Sequence, residues 1–101
     1  MARNVIISKI AERRLENLFE FLLDNWSVKV KNDFIIKLEK CVTIIRKQPE
    51  SFPSSEKEQG LRKCVITKHT TLFYRFDEKS IKIVTLFDSR QNPKKLNQDI
   101  K

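Results

Sequence analysis

Three arginines, Arg62, Arg75 and Arg90, are spread through the second half of the chain. Each falls in or just after a run where apolar and polar residues alternate, the pattern of a β-strand. Across adjacent antiparallel strands, residues tens of positions apart in sequence face one another. Three guanidiniums on one sheet face would grip a phosphodiester and stabilise charge developing on it. The same side chains would equally cover apolar sheet surface and hold their charges out in water. Type and spacing leave both readings open.

Other chemistry has little to work with. His69 is the only histidine and falls in a turn, where the plain reading is an exposed ring. A nucleophile–base pair needs an acid to orient the base, and no spacing supplies one. One histidine and two separated cysteines do not make a zinc site. No GxGxxG, P-loop or HExxH pattern occurs, and the single glycine, Gly60, cannot build a phosphate cradle. No metal and no cofactor is expected. Cys41 and Cys64 each lie in an apolar stretch without CxxC spacing and read as buried free thiols.

Charge narrows the partners. Lys and Arg number 21 against 13 Asp and Glu, a formal net of +8. Between residues 60 and 95 nine basic side chains face three acidic ones, so this half carries the excess. Such a chain attracts polyanions: nucleic acid, an acidic protein or a membrane surface. Its length of 101 residues suits one domain over residues 1–101. No apolar run approaches the ~20 residues that span a bilayer, and MARNVIISKIAERR lacks a signal-peptide core. A cytoplasmic protein with no membrane partner is expected.

The elements that must position the arginines follow from periodicity. Residues 3–7, RNVII, read as a short strand. Ala11, Leu15, Leu18, Phe19, Leu22 and Trp26 then share one face of a helix that starts at Ser8 or Lys9 and ends near Asp24-Asn25. Ser27 caps a second helix with a stripe of Val30, Phe34, Leu38, Cys41, Val42 and Ile45. Pro49 ends it. The short connection makes the two helices an antiparallel pair. PESFPSSEKEQG, residues 49–60, is a loop. The period then drops to two for strands at 61–67, 71–76 and 81–87, an antiparallel meander with turns at KHT and DEKS. Alternation puts Ile81, Ile83, Thr85 and Phe87 on one face of the last strand and Lys82, Val84 and Leu86 on the other. The fold class is α+β, in the order β-α-α-β-β-β, a helical hairpin packed on a small, mostly antiparallel sheet.

This order, with several residues in place, resembles the RelE/ParE superfamily of bacterial toxins. The likeness runs over nearly the whole chain. It rests on Ala11, Leu15, Leu18 and Leu22 in the first helix, on Gly60-Leu61-Arg62-Lys63 at a strand start, on TTLFYRF with Tyr74 and Arg75, and on the ending IKIVTLFDSRQNP. The resemblance implies the toxin half of a type II toxin–antitoxin pair. It also implies a functional role for Arg90 at the end of the last strand, with Asn92 and Pro93 as the turn after it.

The superfamily divides by target. RelE-like members cut mRNA on the ribosome, and ParE-like members bind DNA gyrase and trap its cleavage complex. For a nuclease the catalytic candidates are Arg62, Arg90 and His69. Thr71 stands where another catalytic arginine is usual, and no tyrosine or histidine follows residue 74. A gyrase poison needs a binding surface and no proton-transfer set. The resemblance therefore favours the ParE-like branch over the nuclease, with an inactive toxin or a basic module that only binds nucleic acid as the third reading, and with Arg62, Lys63, Lys68, Arg75, Arg90, Lys94 and Lys95 as contacts to the target or to nucleic acid. It further implies an acidic, amphipathic antitoxin, suited to the net charge. Phe21, Leu23 and Ile36 fall off the main stripes and are the candidates for touching it.

Overall fold

Ser8 decides where the first strand stops and the first helix starts. Its hydroxyl accepts from the Ala11 amide at 3.0 Å, and its own O–H donates to the Val84 carbonyl at 2.6 Å. A serine at this point satisfies one of the amides a helix start leaves unpaired. Here it also fastens the helix to a distant strand. The computed structural model describes residues 3–55 and 60–90. In it β1 (Asn4–Ile7) leads into α1 (Lys9–Asn25), and α2 (Val28–Lys47) comes next, with Ser27 capping the Val30 amide. A 3-10 turn at Pro49–Ser51 ends the hairpin. Then come β2 (Arg62–Val65), β3 (Thr70–Phe76) and β4 (Ser80–Asp88).

The strands lie in the order β1-β4-β3-β2, with β1 parallel to β4 and the other pairs antiparallel. The α+β reading and the β-α-α-β-β-β order hold. The helices cover one face of the sheet. Leu18, Leu22, Phe34 and Ile45 are buried there against Cys64, Leu72, Tyr74, Ile81, Ile83 and Leu86. Fully burying a leucine or isoleucine side chain contributes about 1.5–3 kcal/mol, so this layer dominates the stability. Leu61, Phe73, Val84 and Phe87 form a second, smaller cluster. The β2 edge is partly shielded: Ser54 bridges to Arg62, and the Lys63 amide donates to the Pro53 carbonyl at 3.1 Å.

Three sequence expectations are corrected. The first concerns β4. Strict alternation would put Phe87 beside Ile81 and Ile83. Instead the pairing runs Tyr74↔Ile83 and then Phe73↔Thr85, leaving Val84 as an extra residue, a β-bulge. Past the bulge the faces exchange: Leu86 joins Ile81 and Ile83 under the helices, and Phe87 joins Val84 on the other side. Ser8 explains the defect, because its hydroxyl takes up the Val84 carbonyl and its amide the Ile83 carbonyl at 3.0 Å. The second concerns Trp26. It is the C-cap residue of α1 and 53% exposed, not a core residue. The third is a boundary. The strand expected at 61–67 spans only Arg62–Val65, because the Ile66 and Thr67 amides turn back onto the Thr70 carbonyl, at 2.9 and 3.3 Å.

Candidate functional site

The bulge determines where Arg90 goes. It turns Asp88 to the helix side, opposite Thr70. Asp88 is 2% exposed, and the Thr70 hydroxyl donates to its Oδ2 at 2.7 Å. Arg90 then closes on the same carboxylate in a fork. Nε donates to Oδ1 at 2.9 Å, Nη2 to Oδ2 at 2.5 Å, and the Arg90 amide to Oδ1 at 2.9 Å. Burial alone would raise the carboxyl's pKa. The hydrogen bonds from Arg90 and Thr70 outweigh it, so Asp88 lies below the ordinary carboxylate range and Arg90 above its own.

Held in this way, the guanidinium lies over two aromatic rings at the hairpin's turn. It stands 5.6 Å from the Phe21 centroid and 5.2 Å from that of Trp26, and the rings are 5.6 Å apart. Cation–π contact of this kind suits arginine, whose flat, weakly hydrated group stacks well. A cleft of about 480 Å³ opens beside it between α2 and the β2–β3 turn. Leu22, Val30 and Phe34 give it an apolar floor. Lys37, Lys68, His69 and Arg90 supply basic groups on its walls against a single acid, Asp33. His69 is tied in by its backbone, whose carbonyl accepts from the Ser89 amide at 2.8 Å. The Ser89 hydroxyl lies 3.4 Å from its Nδ1. Among the described residues no three or more His, Cys, Asp or Glu side chains are grouped to hold a metal ion, and no helix is long and apolar enough to cross a membrane.

Arg62 has a different position. Its register partner is Tyr74, so it shares the helix-facing side, at the far end of the hairpin. Nη1 donates to the Phe52 carbonyl at 2.6 Å and to that of Glu50 at 3.3 Å, and the guanidinium stands 5.6 Å from the Phe76 ring. Tyr74 works at the same joint: it is fully buried, and its hydroxyl donates to the Pro49 carbonyl at 2.5 Å. Burial pushes its phenol up to about 12, against the lowering effect of Arg62. Arg75 alternates to the opposite face, where its guanidinium approaches Gly60. Lys63 pairs with Phe73 and shares that face. The three arginines therefore do not converge. His69, Lys68 and Arg90 come together, and Arg62, Arg75 and Lys63 lie elsewhere. Lys94, Lys95 and the Asn92-Pro93 turn lie outside the described residues.

Of the three apolar candidates, Leu23 and Ile36 are exposed, at 41% and 51%. Phe21 is half-buried, against the core and under Arg90. Sequence reasoning missed Asp88, Thr70 and Trp26 as site residues. The pair of charges in D-S-R was visible at 88–90, but which face it used depended on a bulge that leaves no sequence mark.

The family profile described as "ParE toxin of type II toxin-antitoxin system, parDE" matches residues 5–93. The chain belongs to the ParE toxin family. Solved structures agree on the fold. The chromosomal ParDE system of P. aeruginosa matches with a TM-score of 0.71 at 12% identity, over 86% of this chain and 96% of that one. The E. coli DinJ-YafQ toxin-antitoxin complex matches at 0.61 with 11% identity, over 89% and 96%. The YoeB dimer of Staphylococcus aureus matches at 0.60 with 17% identity, over 86% and 97%. No curated protein is similar enough in sequence to count as a match. These structures share the architecture of this chain, and the superfamily resemblance read from the motifs is confirmed.

Proposed function

We propose that this ParE-family toxin inhibits growth by binding DNA gyrase, and that the Arg90 end of the sheet is its contact surface. One observation carries the reading: Arg90 is immobilised by Asp88 over Phe21 and a half-exposed Trp26, beside an apolar-floored cleft. Interface hot spots are built from such tryptophan and arginine side chains. A guanidinium locked on a carboxylate is ready to bind and does not exchange protons. Lys68 extends this surface. Lys63 and Arg75 would contact the target or its DNA from the other face of the sheet, and Lys94 and Lys95 from beyond the described residues. Arg62, engaged with two carbonyls, supports the scaffold in this reading.

A cognate antitoxin, acidic and amphipathic, would hold the toxin inactive. A net charge of +8 speeds its association. Leu23 and Ile36 offer exposed apolar contact, and Phe21 joins them at the hairpin's turn.

A ribosome-dependent mRNA endoribonuclease is the second reading. The neighbourhood of His69 and Arg90 in one cleft favours it, since an imidazole can move a proton while a guanidinium holds phosphate. Induced expression in a bacterial host separates the two, with primer extension on abundant mRNAs and plasmid topology run in parallel. Growth arrest with gyrase-cleaved DNA and intact mRNA is expected. Discrete, translation-dependent mRNA cuts, lost in His69→Ala, would transfer the function to the nuclease.

A further inference from the structure

Two lysines line the cleft beside Arg90, Lys37 on the α2 wall and Lys68 on the β2–β3 turn. Neither has an ion-pair partner among the described residues. Lys37 shares one face of α2 with Val30 and Phe34, so the charge stands above the apolar floor. The turn that carries Lys68 is braced, since the Thr67 hydroxyl accepts from the His69 and Thr70 amides at 3.1 and 3.2 Å. A wall set in this way before anything arrives loses little freedom on binding.

Charge and floor together select the ligand. Among the formally charged side chains, Arg90 is matched by Asp88, and Asp33 offsets one of the two lysines. One positive charge is left over, which suits a monoanion better than a phosphate dianion. The side chains of Leu22, Val30 and Phe34 offer no hydrogen-bond donor or acceptor. A nucleobase laid on them would lose water from its polar edge without replacement. A hydrocarbon would lose nothing there and gain burial. The volume of about 480 Å³ falls within the range of about 300–1,000 Å³ usual for small-molecule sites.

We infer that the cleft binds a small amphiphilic monoanion, an alkyl monocarboxylate of medium chain length. Its carboxylate is held by Lys37 and Lys68, and its chain lies along Leu22, Val30 and Phe34. This binding is a property of the isolated chain and does not require gyrase. Its consequence rests on the reading of the Arg90 end as the contact surface: a ligand in the cleft covers Lys68 and the flank of Arg90, and so competes with the target.

The test titrates the full chain with sodium hexanoate, octanoate and decanoate below micelle formation. Calorimetry follows binding, together with the fluorescence of Trp26, the only tryptophan, which stacks on Arg90. A single saturable site is expected, with affinity rising about two- to fourfold per added methylene. Decanol should bind about tenfold more weakly, and decyltrimethylammonium should not bind. Lys37→Gln and Lys68→Gln, at exposed positions, should each bring decanoate toward decanol without changing decanol. Lys82→Gln, on the other face of the sheet, should change neither. Affinity that ignores chain length, equal binding of decanol, or full decanoate affinity in both cleft variants would overturn the inference. So would uridine monophosphate binding more tightly than decanoate, or attachment to anionic vesicles without any binding of the monomeric acids. Gyrase cleavage is scored separately, so failure of carboxylate binding leaves the gyrase reading standing, and failure of the gyrase reading leaves the carboxylate site standing.

Discussion

Arg62 and Arg90 stand at the two ends of the same helix-covered face and are held by different chemistry. Arg62 donates to the carbonyls of Glu50 and Phe52 and binds the 3-10 turn to the sheet. Arg90 forks onto the Asp88 carboxylate and lies over aromatic rings beside an open cleft. The first end is closed around a buried tyrosine; the second presents Trp26 to solvent. An arginine that satisfies backbone acceptors serves the scaffold. In the proposed reading, an arginine fixed by a side chain at an exposed aromatic edge serves a partner. Residue type does not tell these apart; the acceptor does.

That contrast can be broken by substitution, and the largest stability effect belongs to the Arg90 end. Asp88→Ala removes the acceptor of both Thr70 and Arg90 inside a buried pocket. It should cost about 3 kcal/mol in a denaturant titration, since a buried hydrogen-bonded charge pair loses one partner. It should also abolish toxicity, because Arg90 is released from its rings. Arg62→Ala frees two carbonyls and uncovers Phe76, at a cost of about 2 kcal/mol. Its toxicity should return at reduced temperature, where the weakened fold is still populated. If instead Arg62→Ala is stably folded and inert, the two ends share one function and the comparison fails.

Tyr74→Phe should cost about 1–2 kcal/mol by stranding the buried Pro49 carbonyl, with growth arrest unchanged. Arg90→Lys keeps the charge but loses the fork and the stacking. It should lower the melting temperature by only a few degrees yet weaken antitoxin or target binding about tenfold, measured by calorimetry. The smallest effect is with pH. The Asp88 pKa is depressed, so its contribution is complete above the unfolded carboxyl value of about 3.9 and is lost as pH falls through the lower folded value. Melting curves taken from about pH 5 to about pH 2 should show a decline in wild type that is smaller in Asp88→Ala, where the depressed carboxyl of Asp77 still contributes.

Much of the scaffold is legible in the sequence, for identifiable reasons. The helices announce themselves through apolar spacing and two serine caps, and Pro49 marks where α2 stops. These are local effects, decided within a few residues. Trp26 misleads because periodicity counts an apolar residue without knowing that the helix has already ended. The arginines can be assigned to strands but not to faces, since a face is a property of register. Arg62 pairs with Tyr74 across β2 and β3, so Arg75, the next residue along β3, falls on the opposite side. Arg90 needs the bulge as well. His69 shows the opposite case: its turn is read correctly, but the β4 end that comes up beside it is far away in sequence. Contacts such as Thr70 with Asp88 arise only when strands pair, so no local pattern encodes them.

The extra residue in β4 gives this small toxin an unusual sensitivity to length. Residues ahead of Val84 keep their faces regardless of it, and those behind it have exchanged inside for outside. A single-codon deletion there would leave composition, charge and motifs essentially unaltered. It would nevertheless turn Phe87 into the core and deliver Asp88, with its arginine, to the opposite surface. For this chain a loss of one residue is an exchange of faces at the edge proposed to bind, and relatives that differ by one position before the final arginine should be compared by face before they are compared by letter.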